Sequence, residues 1–160
     1  MKTYDLERFV KAQRYDYPVA LSEMIAGHKK THWIWYIFPQ LKELGRSSRA
    51  KDYGIEDIDE ARQYLNHPIL GARLKEITGE ILKHEGISVD WLMGSGIDVM
   101  KLRSSMTLFA YISEEGSVFH KAIDKYFGGK MDEETISLLK KRQPNKKGSP
   151  PLGDPLSLTV

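Results

Sequence analysis

The chain has 160 residues, 41% of them hydrophobic and 29% charged, with a formal net charge of +2; that length supports one domain with a sizeable core, and the composition is ordinary for a soluble globular protein. The absence of cysteine excludes disulfides, thiol catalysis and Cys-ligated zinc or iron–sulfur sites, and suits a reducing compartment. Five basic residues and one acidic residue between Lys140 and Val160 leave the rest of the chain slightly acidic, without the phosphate-neutralising footprint of a nucleic-acid-binding domain.

The first residues, Met1 to Arg8, carry charges where a signal peptide needs an apolar run, and no apolar stretch approaches the roughly 20 residues that cross a bilayer. The expectation is a cytoplasmic protein with no membrane partner. Leu6, Phe9, Val10 and Gln13 recur at helical spacing, so a helix starts near Asp5. Asp16-Tyr17-Pro18 offers a cap ahead of a helix-compatible proline, which predicts a second helix carrying Val19, Ala20, Met24 and Ile25 and stopping at Gly27.

His32-Trp33-Ile34-Trp35-Tyr36-Ile37-Phe38-Pro39-Gln40 follows. It places two of the three tryptophans, a tyrosine and a phenylalanine in one short strip. Periods of 2 and 3.6 both fit so short a run. It is either the centre of a core or the wall of a pocket. Next, Leu44 to Arg49 reads as a loop into a short helix, and Gly45-Arg46-Ser47-Ser48-Arg49 suits an anion as well as it suits a plain solvated cap.

Asp57 and Glu60 have capping-box spacing. His67-Pro68 opens a helix with Leu70, Leu74, Ile77, Ile81 and Leu82 on one stripe and Gly86 as its stop; Arg73 lies one turn inside, a pairing partner for Asp98 or a ligand contact. Gly94-Ser95-Gly96 breaks the chain, and Asp98 starts a helix to about Ile112. Val118, Ala122, Ile123 and Tyr126 mark another, ended by Gly128-Gly129, and Asp132 caps a last one with Ile136, Leu138 and Leu139. The prediction is an all-α, compact single-domain bundle of seven to nine helices with short loops. It occupies residues 1–142, with a Pro/Lys/Gly-rich tail over 143–160.

Candidate chemistry gathers on two segments. In the strip, Trp33 and Trp35 offer faces for a purine or nicotinamide ring, and His32 and Gln40 can fix such a ring by hydrogen bonds. On the Asp98 helix, positions 98, 101, 105, 108, 109 and 112 share a face that is polar in its first half (Asp98, Lys101, Ser105) and apolar in its second. Lys101 and Ser105 then hold phosphate while Asp98 binds a ribose hydroxyl or orients water; the plainer alternative is a capping Asp98 paired with Lys101. Histidine spacing and carboxylate distribution match no metal-binding pattern, so no metal and no cofactor are expected. No phosphate loop and no nucleophile elbow is present.

Arg8-Phe9, Ala12-Gln13, Lys30-x-His32-Trp33-x-Trp35-Tyr36-x-Phe38-Pro39-Gln40, His67-Pro68-x-Leu70-Gly71-x-Arg73-Leu74 and Asp98-x-x-Lys101-x-x-Ser104-Ser105-Met106-Thr107-Leu108-Phe109 resemble the motifs of domain-of-unknown-function family 1810, over about Leu6 to Leu139. The resemblance implies a mainly α-helical fold. The label calpastatin sometimes attached to that family finds no support in these residues. A fainter likeness is to the NADAR superfamily, whose members are helical and linked to ADP-ribose and N-glycosidic chemistry. Its Glu-containing segment has no counterpart here other than Glu23.

Together these readings give a small-molecule-binding protein with a nucleotide- or ADP-ribose-like ligand and the chemistry of an N-glycosidic hydrolase within reach. Asp98 and His32 are the catalytic candidates. Trp33, Trp35, Gln40, Arg46, Arg73, Lys101 and Ser105 are the binding candidates. The alternative is a non-enzymatic helical protein-interaction module.

Overall fold

The computed structural model describes residues 2–141, so the 143–160 tail lies outside the described residues. Nine α-helices occupy them: α1 (Glu7–Ala26), α2 (Ile34–Ile37), α3 (Ser48–Asp52), α4 (Ile58–Asn66), α5 (Leu70–Ile81), α6 (Val89–Met93), α7 (Gly96–Tyr111), α8 (Val118–Phe127) and α9 (Glu133–Lys141), with a 3-10 turn at Lys42–Leu44. The one extended pairing among them is an isolated parallel bridge between Leu41 and Ile55. The fold is all-α.

The punctuation read from the sequence sets most boundaries. Asp57 Oδ1 accepts from the Glu60 amide at 3.0 Å, Asp132 Oδ2 accepts from the Thr135 amide at 3.0 Å, and Gly27, Gly94 and Gly128 end their helices in the left-handed region. Four boundaries differ from expectation, one of them at the end of α5, which stops at Ile81 with Leu82 as its C-cap and not at Gly86. Pro18 does not split the first helix: α1 runs through it for 20 residues. Pro18 and Arg14 both face solvent, so the carbonyl that the proline ring denies a donor can be hydrated, while Tyr17, Ala20 and Met24 keep the buried stripe. Asp98 is not the cap of α7; Ser95 is, accepting from the Asp98 amide at 3.2 Å. Between them the sequence left α6 unread, although Ser88 caps it by accepting from Trp91 N–H at 3.1 Å.

α7 is the central element. It packs against α2, α4, α6, α8 and α9, and Leu102, Met106, Leu108 and Phe109 on it are fully buried. α1 lies against α5 and α2 and contributes Phe9, Ala20 and Met24 to the same core. A Cβ on Gly71 would sit 1.9 Å from the Leu65 carbonyl oxygen, so α4 and α5 meet backbone to backbone, whereas a Cβ on Gly79 would meet nothing within 4 Å. Gly71→Ala is therefore expected to destabilise the fold by about 1–3 kcal/mol. Gly79→Ala, on the same helix, is expected to stabilise it by about 0.5–1 kcal/mol. Urea unfolding of both variants reads the difference, and equal shifts would contradict the close approach.

Candidate functional site

The segment from Gly27 to Ile55 holds only short helical pieces, so its backbone groups need partners from elsewhere. Backbone bonds such as Lys29 N–H to Leu92 (2.7 Å) and Ile55 N–H to Gln40 (2.9 Å) supply some, and one face of α1 supplies others. Glu23 accepts from the amides of Lys30 (2.9 Å) and Thr31 (3.1 Å), from the Thr31 hydroxyl (2.7 Å) and from the Trp33 indole N–H (2.8 Å). Asp16 accepts from the Tyr36 hydroxyl. Gln13 donates to the Tyr36 carbonyl at 2.7 Å. Arg8 donates to the carbonyls of Asp52 and Gly54, both at 2.8 Å, and pairs with the buried Glu60 at 2.9 Å. Helical spacing of 13, 16 and 23 lets one rod hold the aromatic strip, while position 8 holds the Asp52–Gly54 stretch that follows.

So held, the strip divides. Trp33 is 1% exposed and belongs to the core; the Lys29 ammonium lies 4.9 Å from its ring centroid. It therefore offers no outward face for a ligand ring. Trp35 is half-buried and turns toward α3 and α7. Arg49 lies 5.0 Å and Lys101 5.4 Å from its ring centroid, both within cation–π range. Trp35, Gln40 and Lys101 line one crevice with Ile34, Phe38, Ala50, Tyr53 and Gly54. Its volume is about 10 Å³, the size of one water. The Trp35 Nε1–H is sealed from solvent and has no acceptor among the described residues. Such a buried donor costs about 1–3 kcal/mol while it goes unpaired.

The other sequence-selected residues do not line that crevice. His32 and Arg46 are exposed. Arg73 donates to Gln13 at 3.3 Å and lies 5.0 Å from the Tyr17 ring centroid. Asp98 pairs not with Lys101 or Arg73 but with Lys29, at 2.8 Å, their side chains 16% and 4% exposed. Lys29 also donates to the Thr31 carbonyl at 2.6 Å. Ser105, one turn beyond Lys101, is fully buried with its hydroxyl unpartnered. Two larger hollows, of about 880 Å³ beside Arg103 and α9 and about 420 Å³ beside Lys42 and Lys51, contain none of the catalytic or binding candidates, although Gly45 of the Gly45–Arg49 segment lines the second.

Sequence reading missed Lys29 and Tyr53, and named Arg49 only as part of the Gly45–Arg49 segment that suits an anion, without joining it to the aromatic strip. The Ser47 cap, which accepts from the Ala50 amide at 3.1 Å, was the available signal for Arg49, since it starts α3 early enough to carry that residue on a helix. Nothing in the spacing of Lys29 announces its pairing. Among the described residues no group of three or more His, Asp or Glu side chains could hold a metal ion, and no helix is long and apolar enough to cross a membrane.

These features define a small all-α protein with an aromatic notch edged by cations. The chain belongs to the family described as protein of unknown function (DUF1810), which matches residues 3–139. It is similar in structure to the conserved hypothetical protein Rv1873 from Mycobacterium tuberculosis, with a TM-score of 0.82 and 44% sequence identity over 86% of this chain and 97% of that one. No functionally curated protein is recognisably similar to the chain, and none of these likenesses is to the NADAR superfamily.

Burial works against ionisation of Glu23, but the donors from Lys30, Thr31 and Trp33 outweigh it and hold the carboxyl below its ordinary value. A carboxylate depressed on folding stabilises the fold above its unfolded pKa, about 4.3, and loses that contribution as pH falls through the lower folded value. The stability gap between the wild type and Glu23→Gln is thus expected to be full at pH 7 and to shrink below about pH 4, read by denaturant unfolding at each pH. A gap that does not change with pH would contradict it. Asp98→Ala strands the buried Lys29 ammonium and is expected to cost on the order of 3 kcal/mol. The double variant Lys29→Met/Asp98→Ala should recover part of that loss in the same measurement.

Proposed function

We propose that this protein binds a nucleotide-like small molecule, ADP-ribose among the candidates, and receives its anionic part at the Trp35–Gln40–Lys101 notch. The observation that carries this reading is that Trp35, a residue of the crevice lining with two cations beside its ring, keeps a buried Nε1–H with no acceptor among the described residues. An unpaired buried donor lowers stability, so its persistence beside Lys101 and Arg49 points to an acceptor that arrives from outside. The lining contains no carboxylate, which suits an anion. As it stands the notch admits a single oxygen atom rather than a whole nucleotide, so the ring and sugar lie outside it.

Binding fits the geometry better than bond cleavage. An N-glycosidic hydrolase needs a carboxylate facing the anomeric carbon or its attacking water. Asp98 is held by a buried ammonium at 2.8 Å, and His32 stands in solvent away from the notch lining. The cytoplasm, which the cysteine-free sequence suits, is the compartment this reading assigns.

A second reading has its own observation. Trp91, Ile97 and Met100 are 59%, 67% and 70% exposed on α6 and the start of α7, an apolar group of the kind that marks protein contacts. Under that reading the chain is a helical interaction module, and the notch is a packing detail.

Thermal-shift and calorimetric titration with ADP-ribose, NAD and mononucleotides separates the two. The wild type is expected to be stabilised by at least one of them. Lys101→Met, which keeps the aliphatic stem, is expected to bind about tenfold more weakly or worse, and His32→Ala as well as the wild type. No stabilisation by any of them, or binding indifferent to Lys101→Met, would remove the ligand reading.

A further inference from the structure

The notch offers an unusual mixture of partners. Trp35 Nε1–H, sealed and unpaired, can only donate. Lys101, half-buried on the same lining, can only donate, and so can Arg49, whose guanidinium stands 5.0 Å from the Trp35 ring. Gln40 and Tyr53 supply the only side-chain acceptor atoms in the lining. A nucleobase edge presents donors and acceptors in alternation and is read by a matched alternation in the protein. Gln40 alone carries a donor and an acceptor side by side, whereas the charged and indole groups around it only donate, so the set as a whole matches that pattern poorly. It matches oxygen atoms that carry negative charge.

Size narrows the choice. About 10 Å³ takes one oxygen atom. A ring cannot enter, and the faces of Trp35 lie within reach of two cations. A phosphomonoester fits the remaining requirements: one oxygen fills the notch against the Trp35 N–H, and the other two lie at its mouth, near Lys101 and Arg49. Gly54 forms part of this wall, and a Cβ there would meet Lys42 Cα at 2.4 Å, so the wall is backbone packed on backbone and does not widen by moving a side chain.

We infer that the site reads a terminal phosphate and not a base: the ligand enters phosphate first, and any nucleoside attached to it remains outside the notch. The inference rests on the ligand reading above and narrows that site's ligand class to phosphomonoesters, which sets aside ADP-ribose and NAD, whose phosphates are both internal.

Calorimetric titration of the full chain with AMP, GMP, CMP, UMP, adenosine and inorganic phosphate tests it. The four nucleotides are expected to bind within about threefold of one another, inorganic phosphate to compete with them, and adenosine to bind at least about tenfold more weakly than AMP, the loss expected for removing a charge-assisted hydrogen bond. Gln40→Glu, nearly isosteric, places a carboxylate in the notch; it is expected to abolish AMP binding while leaving the thermal unfolding midpoint near that of the wild type. Adenosine binding as tightly as AMP, or a spread above tenfold among the four bases, would overturn the phosphate assignment and leave the ligand reading standing. No binding by any nucleotide, by ADP-ribose or by phosphate would overturn both. If Gln40→Glu fails to fold, Lys101→Met carries the same comparison, and undiminished AMP binding to it would overturn the assignment.

Discussion

The irregular fifth of the described chain depends on side chains of α1 beside the few backbone bonds it makes for itself. Between Gly27 and Ile55 the polypeptide makes no long helix, and its amides and carbonyls find partners in Glu23, Gln13 and Arg8. Glu23 bears most of this. It satisfies two backbone amides, a hydroxyl and an indole at once. Its ionised form is therefore built into the shape of the loop that leads into the strip. Arg8 does the same at the other end of the segment, where Glu60, itself buried, neutralises it and also accepts from the Glu56 amide at 2.7 Å. A charged pair with its carboxylate buried contributes little net stability against an apolar alternative, but removing the arginine and leaving Glu60 unpaired is costly. Its role here is to fix one arrangement of the Tyr53–Gly54 wall.

This scaffold explains why two tryptophans two residues apart meet such different fates. The short turn of α2 sends Trp33 toward α1, where Glu23 takes its N–H. It sends Trp35 toward α3 and α7, where no acceptor waits among the described residues. Both rings have a cation nearby, Lys29 for one and Arg49 with Lys101 for the other. Only the second leaves a hydrogen-bonding group unsatisfied, and so only the second has chemistry to spare.

The fold was largely legible in the sequence because helices announce their ends locally. Ser, Asp and Gly at the right offsets mark caps and stops without knowledge of tertiary partners. Pro18 misled for the same reason: whether a proline breaks a helix depends on what the far side of that helix faces, which is not local information. The site was legible only in part. Trp35, Gln40 and Lys101 were visible as polar groups attached to aromatic or apolar patterns, and the structure puts them around one crevice. Arg73 and Asp98 looked like companions for them, but their actual partners, Gln13 with Tyr17 and Lys29, are set by which helix each one lands beside. Periodicity places a residue on a face; it does not say which neighbour that face will meet.

The three indoles stand in three surroundings: one enclosed in the core, one at the notch, and one stacked on His28 at 4.0 Å and largely open to water. Their emission should therefore be spread across the range from apolar to aqueous. Under the proposed ligand reading the middle one donates its hydrogen bond to the arriving oxygen. The molecule thus carries an intrinsic optical reporter at the point of interest, readable without any label and separable from its two siblings by replacing each in turn with phenylalanine.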